Sequence, residues 1–292
     1  MTYINLIKRF NIYQKERFPL SILIFTTGTI ILSSYGIIMQ ELNLIKFLML
    51  LFISLSYLFH IRVNDDIRDF KDDSKFHKKR PVQNKLISLK ELKLLDYLFI
   101  LISTILILLF FSNALIYFGL GLLFIFFAGK DFFIRKYIIN KPILYHFLNS
   151  IQMIIIMLFI YESIQKIRID NLLIIHLIFI QLCIFLLEIV RKIKPEKNKK
   201  IAYSSYLAFL GHKKIKYLLI SIALLMFISF AIILNIIKSN IIFYFVSIVF
   251  LIILLCSIQK ISDKTNNKHI LLTSLAYYII LNLLIFLTAI IK

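Results

Sequence analysis

The sequence predicts an all-helical integral membrane protein with nine transmembrane spans, and three observations predict it. First, 60% of the 292 residues are hydrophobic and only 17% are charged, too few polar residues to cover a water-soluble core. Second, the apolar residues run in blocks of roughly 20, the length a ~30 Å hydrocarbon core requires. Third, charge gathers between these blocks and does not line the faces of amphipathic helices. Only four Pro and six Gly interrupt the runs, so each block can remain helical.

Cut at the polar clusters, the chain gives spans at residues 18–39, 43–61, 94–112, 114–133, 143–161, 171–190, 215–236, 240–258 and 270–291. The first follows a basic N-terminus. It is too long for the core of a signal peptide and has no small-residue cleavage site, which makes it a retained span. The N-terminus and the loops at 62–93, 130–141, 191–216 and 260–268 hold 30 of the 35 Lys and Arg; the opposite side holds Lys46, Lys166, Arg168, Lys238 and Lys292. By the positive-inside rule the N-terminus is cytoplasmic and the C-terminus external. The alternation also requires an odd number of spans. One domain is expected over residues 1–292, in a cell membrane, the bacterial inner membrane.

The net charge of +20 raises nucleic acid as a partner, but the basic residues sit in short loops against the membrane, where topology and anionic lipid account for them. No nucleic-acid partner and no obligate protein partner is expected. Cys183 and Cys256 fall inside spans without metal-ligand or redox spacing and read as small apolar packing residues. There is no internal repeat. The two long loops at 62–93 and 191–216 carry the chemistry.

The first of these contains "RVNDDIRDFKDDSKFHKKRP", with five of the fifteen carboxylates inside nine residues. Continued as helix from the second span, Asp66, Asp69 and Asp73 fall within about 60° of one another, with Asp65 at the rim, Arg62 among them and Asp72 to one side. Carboxylates sharing a face repel, and Asp is a poor helix former, so something positive belongs there. A solvated turn neutralised by Arg68, Lys71, Lys75 and Lys78 is the plainer reading. The spacing DDxxDxxxD on one membrane-proximal face favours hard oxygen ligands for Mg²⁺, which commonly binds through one or two carboxylates and substrate phosphates.

Arg62, Asp65, Asp66, Asp69 and Asp73, followed by Arg80 and Pro81, resemble the first aspartate-rich motif of the UbiA superfamily of intramembrane prenyltransferases, NDxxDxxxD and then RP. With Asn64 as the motif's Asn, the third position falls on Arg68, which binds no metal. One residue further on, Asp65 takes the Asn position and every later position is Asp, so this register is used. The resemblance covers the whole chain: nine spans, an N-terminus inside and signature loops after spans two, four and six. It implies a bundle around a central cavity open to lipid. Family members bind a prenyl diphosphate through Mg²⁺ on two aspartate-rich motifs, ionise it and pass the carbocation to an acceptor. Asp65, Asp66, Asp69 and Asp73 then become the metal ligands, with Asp66 and Asp69 in catalysis and Arg62 and Arg80 on the diphosphate. The 28 Phe and 15 Tyr can wall an allylic cation, though aromatics also fill ordinary membrane cores.

Where many members carry a second DxxxD, this chain reads "LLEIVRKIKPEKNKKIAYSSYLAFLG". Glu188, Arg191 and Lys192 at i, i+3 and i+4 make an ordinary intrahelical pair with basic residues at a helix C-terminus. They also resemble a superfamily branch with an E..RK..P.E run followed by YS and Gly, here Glu188, Arg191, Lys192, Pro195, Glu196, Tyr203, Ser204 and Gly211. That resemblance implies that direct cationic contacts to the diphosphate from Arg191 and Lys192, both catalytic, replace one metal half-site, with Glu188, Tyr203 and Ser204 nearby. Arg135 and Lys136, after the fourth span, either reach the diphosphate or serve topology. His146 and His176 read as hydrogen-bonded structural residues more readily than as bases. Asn149 and Gln152 either contact an acceptor or bridge helices.

Three function classes follow. A Mg²⁺-dependent prenyltransferase needs a prenyl diphosphate donor and a hydrophobic acceptor that is aromatic, a quinone precursor or lipid-like. An intramembrane terpene cyclase needs no acceptor. A cation transporter would want ionisable groups at the bilayer midplane, which the spans scarcely provide.

Overall fold

A computed structural model describes residues 6–138, 141–193, 206–262 and 267–291. Twelve α-helices and no strand occur among them: α1 (Leu6–Arg17), α2 (Leu20–Ile38), α3 (Leu44–Arg68), α4 (Phe70–Phe76), α5 (Leu89–Phe110), α6 (Leu115–Gly129), α7 (Arg135–Ile138), α8 (Pro142–Ile164), α9 (Asn171–Arg191), α10 (Tyr206–Ile236), α11 (Ile241–Gln259) and α12 (Lys268–Ile290). Among the described residues nine helices are long and apolar enough to cross a membrane, one for each expected span. The chain is a multi-pass membrane protein.

The boundaries differ at the start of α10, which begins at Tyr206 and bends at Gly211 (φ 73°, ψ 161°), and around the first long loop. α3 runs on to Arg68 and α5 begins at Leu89, because an apolar block marks the part of a helix in hydrocarbon and not its polar extension. The start of α5 has a local cause. Ser88 Oγ accepts from the Glu91 N–H and the Glu91 carboxylate accepts from the Ser88 N–H, a reciprocal S-x-x-E cap.

The chain divides into two compact units. The first comprises residues up to Ile31, Leu42–Arg135 and Leu158–Lys166. α1 precedes the first span and presents Leu6, Phe10, Tyr13 and Arg17 at helical spacing. The apolar members pack on a core of Phe18, Phe59, Val63, Val82, Ile87 and Leu92, with the Phe10 ring edge-on to Phe59 at 5.7 Å. α3 packs against α5 and α6.

The second unit comprises Leu32–Glu41, Lys136–Met157 and Ile167–Lys292. α9 packs on α10 and α12, and α11 on α12. His176 is buried; its Nε2 donates to Ser33 Oγ at 3.1 Å, and Ser33 donates to Asn282 Oδ1 at 2.8 Å, the structural arrangement expected for this histidine. Gly36 brings α2 onto α12 so closely that a Cβ there would lie 2.7 Å from the Ile285 carbonyl oxygen and 2.9 Å from Phe286 Cα. Backbone cannot yield as a side chain tip can. Gly36→Ala is expected to cost about 1–3 kcal/mol through overpacking, read as a lower unfolding temperature in detergent.

Candidate active site

In the first unit the acidic run straddles the junction of α3 and α4, where Asp69 closes one helix and opens the next at φ −87°, ψ −2°. The single acidic stripe expected from the sequence is two stripes. Asp66 and Asp73, seven residues apart, differ by only 20° on a helix; Asp65 and Asp69, four apart, form the neighbouring stripe. Arg17, Arg62 and Arg80 serve the first stripe and Arg68 the second, with Arg62 Nη1 also 3.9 Å from Asp65.

Asp66 is enclosed, its side chain 3% exposed. Its Oδ1 accepts from Arg17 and Arg62, both at 2.5 Å, and its Oδ2 accepts from the Tyr13 hydroxyl at 2.7 Å. Asp73 is buried too, accepting from Arg80 with Arg17 3.8 Å away. Burial, and then the charge of Asp66, push the Tyr13 phenol well above its ordinary range, so Tyr13 keeps its proton and donates. Burial and the nearby Arg17 hold Arg80 below its ordinary value.

Asp65 and Asp69 are 33% and 44% exposed and share Arg68. Arg68 Nη2 lies 2.8 Å from Asp65, while its Nε and Nη2 grip the two oxygens of Asp69 at 2.9 and 3.2 Å. Asp131 approaches the same guanidinium at 3.8 Å. It comes from a turn in which Asp131, Phe132 and Phe133 all have φ between 50° and 59°, a left-handed run that costs energy for residues with a Cβ.

No group of three or more His, Cys, Asp or Glu converges among the described residues. Asp66 and Asp73 do not fit a metal, because buried cations and a phenol already occupy their oxygens. Asp65 and Asp69 do fit one: two accessible carboxylates one turn apart provide the hard-oxygen share that Mg²⁺ takes from protein when phosphates complete its shell.

In the second unit Glu188, Arg191 and Lys192 gather at the end of α9. Glu188 accepts from Arg191 at 2.6 Å and pairs with Lys192 at 3.1 Å. Lys192 Nζ also donates to His146 Nε2 at 2.6 Å, and the His146 ring lies 5.5 Å from that of Tyr206. Burial, and then Glu188, push the Tyr206 phenol up. Asn267 donates to the carbonyls of Val190 and Arg191 at 3.3 and 3.0 Å, capping α9. Arg191 is the most exposed member at 59%. Tyr203, Ser204, Pro195 and Glu196 lie outside the described residues, as does the side chain of Arg135; Lys136 is exposed on α7.

The sequence reading passed over Tyr13 and Arg17, whose four-residue spacing on a helix that faces the motif is the signal for them. It also gave His146 no charged partner. Nothing in the sequence brings α8 to the end of α9.

No family model matches the sequence, and no curated protein matches it. Solved structures do match the fold. One is from a study of digeranylgeranylglyceryl phosphate synthase in membranes; it is 19% identical, with a TM-score of 0.62 over 98% of this chain and 100% of that one. Another is the apo structure of a UbiA homolog from Aeropyrum pernix K1, 13% identical, with a TM-score of 0.67 over 90% of this chain and 97% of that one. The chain has the UbiA fold.

Proposed function

We propose that the protein transfers a prenyl group from a prenyl diphosphate to a hydrophobic acceptor within the membrane, releasing diphosphate. The observation that carries this reading is the pair Asp65 and Asp69, accessible at the polar end of the second span of a UbiA fold. Asp65 and Asp69 would hold Mg²⁺, which neutralises charge developing on the departing diphosphate. Arg68 neutralises both carboxylates here and exchanges them for diphosphate oxygens when donor binds. Asp66 acts at one remove. By fixing Arg62 and Arg17 it sets the position and positive potential of the α3 end, and Asp73 does the same for Arg80. Arg191, Lys192, Glu188, Arg135, Lys136, Tyr203 and Ser204 are proposed as diphosphate contacts on the resemblance of their loops to the superfamily alone.

The competing chemistry is cyclisation of the prenyl cation without an acceptor. Diphosphate release by purified protein with Mg²⁺ and a set of prenyl diphosphates, with and without lipid extract, tests the proposal. Release that rises with the extract is expected. Equal release in both arms favours the cyclase, and no release in either removes both readings.

We also propose that the basic side of the bundle is cytoplasmic. A reporter fused to the C-terminus is expected to score as external and one inserted at residues 197–200 as cytoplasmic; the reverse pattern contradicts this orientation.

Arg191→Ala is expected to weaken donor binding about ten- to hundredfold even at saturating Mg²⁺, as the loss of one charge-assisted phosphate contact would. Arg191→Lys should recover part of it, keeping the charge without the bidentate fork. Titrating the donor at two Mg²⁺ concentrations checks this. An anchor at the interface would instead let lysine restore everything.

A further inference from the structure

Asp131, from the turn after α6 in the first unit, is the third carboxylate beside the Arg68 guanidinium. Its Oδ1 lies 3.8 Å from Arg68 Nε, while Asp65 and Asp69 hold the same guanidinium at 2.8 to 3.2 Å. At the longer distance charge attracts charge but no hydrogen bond is made. Both partners are enclosed, their side chains 13% and 10% exposed, so salt and water screen this attraction weakly. Charge here is one-sided. Three carboxylates face Arg68, and Arg62, 3.9 Å from Asp65, is already bound to Asp66.

The turn holds Asp131 in this place. α6 ends against α3: a Cβ on Gly129 would lie 3.6 Å from Asn64 Oδ1, and Asn64 and Arg68 are one turn apart on the same face of α3. Asp131, Phe132 and Phe133 then run left-handed. Residues with a Cβ keep that conformation only where their surroundings enforce it, commonly at functional sites. Here the enforcement comes from aromatic packing, with Phe132 edge-on to Phe124 at 5.3 Å between ring centroids and Phe133 edge-on to Phe127 at 6.2 Å. Asp131 therefore meets Arg68 from a fixed anchor on α6.

We infer that Asp131 is a positioning residue for Arg68, taking over its guanidinium when Asp65 and Asp69 turn to Mg²⁺. The inference rests on the prenyltransferase reading, which puts Mg²⁺ on that pair, and deepens it. Arg68 and a metal ion compete for the same carboxylate oxygens, so the metal binds only as the guanidinium withdraws. An enclosed guanidinium without a counter-ion is costly, and that cost would be felt as weak metal affinity. Asp131 removes it. A shift of about 1 Å turns the 3.8 Å approach into a hydrogen-bonded pair. Asp131 engages one edge of the guanidinium, and its remaining N–H groups stay available to diphosphate oxygens. The site thus exchanges a tethered cation for a divalent one while Arg68 stays paired beside it.

The test measures Mn²⁺, a paramagnetic stand-in for Mg²⁺, bound to full-length protein in lipid nanodiscs without donor, from the electron paramagnetic resonance signal of the free ion. Binding lost in Asp69→Ala identifies the Asp65 and Asp69 pair. Arg68→Gln removes the competing cation and should tighten Mn²⁺ about tenfold or more. Asp131→Asn should weaken it by a similar factor. On the Arg68→Gln background, Asp131→Asn should change the affinity by less than about twofold, because no guanidinium is left to receive. An Asp131 that ligated the metal, or acted on it through its charge alone, would weaken Mn²⁺ equally in both backgrounds, and that result overturns the inference. So does an Asp131→Asn protein that binds Mn²⁺ like the parent, the outcome of a purely structural turn. Asn tolerates positive φ as Asp does; should the variant still fail to fold, Asp131→Gly, for which that φ is unstrained, is read in the same way. Mn²⁺ binding that Asp69→Ala leaves unaltered, or that is absent even in Arg68→Gln, removes the metal from the pair and the exchange with it. The expected Mn²⁺ pattern in a parent that never consumes geranylgeranyl diphosphate overturns prenyl transfer and upholds the exchange.

Discussion

Asp66→Ala is expected to destabilise the protein by about 3–5 kcal/mol, the cost of leaving buried charges without their counter-ion. Both Asp66 oxygens are used, by Arg17, Arg62 and Tyr13, and the two arginines are themselves 14% and 15% exposed. Removing the carboxylate also takes away the partner that Tyr13 and Arg17 of α1 reach on α3. Unfolding of the purified protein in detergent, followed by helix content against denaturant, measures the loss. Asp66→Asn keeps the shape and loses the charge, so it should fall between parent and Asp66→Ala. A variant that unfolds with the parent would show that Arg17 and Arg62 do not depend on Asp66 as their counter-ion.

Asp69→Ala is expected to have the opposite profile, with turnover falling about a hundredfold or more while stability barely changes. Its carboxylate is 44% exposed and among the described residues pairs with Arg68 alone, an arrangement worth little to folding in solvent. A metal carboxylate lost from a phosphoryl-leaving site raises the barrier by several kcal/mol. Initial rates of diphosphate release at increasing Mg²⁺ check it. Activity near that of the parent, with Asp65→Ala equally mild, would remove the metal from this pair.

These two residues show what the sequence makes legible. The nine spans follow from block length and the basic loops from spacing, because the bilayer imposes a length and a charge asymmetry that local sequence must meet. The acidic run and its helical continuation are legible for the same reason. The division of labour inside it is not. Asp66 and Asp69 look equivalent by motif, and tertiary partners separate them: Tyr13 and Arg17 lie 53 and 49 residues away from Asp66. His60 and Asp96, 36 residues apart on different helices, and Lys192 and His146, 46 apart, meet only through helix packing. A nearly all-apolar helix carries too little facial pattern to fix that packing.

The most direct test of prenyl transfer is the fate of the carbon chain. Purified protein is incubated with Mg²⁺, C1-labelled geranylgeranyl diphosphate and membrane lipid extract, and the lipid-soluble products are analysed by mass spectrometry. The account predicts label in a product whose mass equals a component of the extract plus the prenyl group less one hydrogen, absent when Mg²⁺ is chelated and absent with Asp69→Ala. Label found only in intact donor, with the protein folded and Mg²⁺ present, would contradict it.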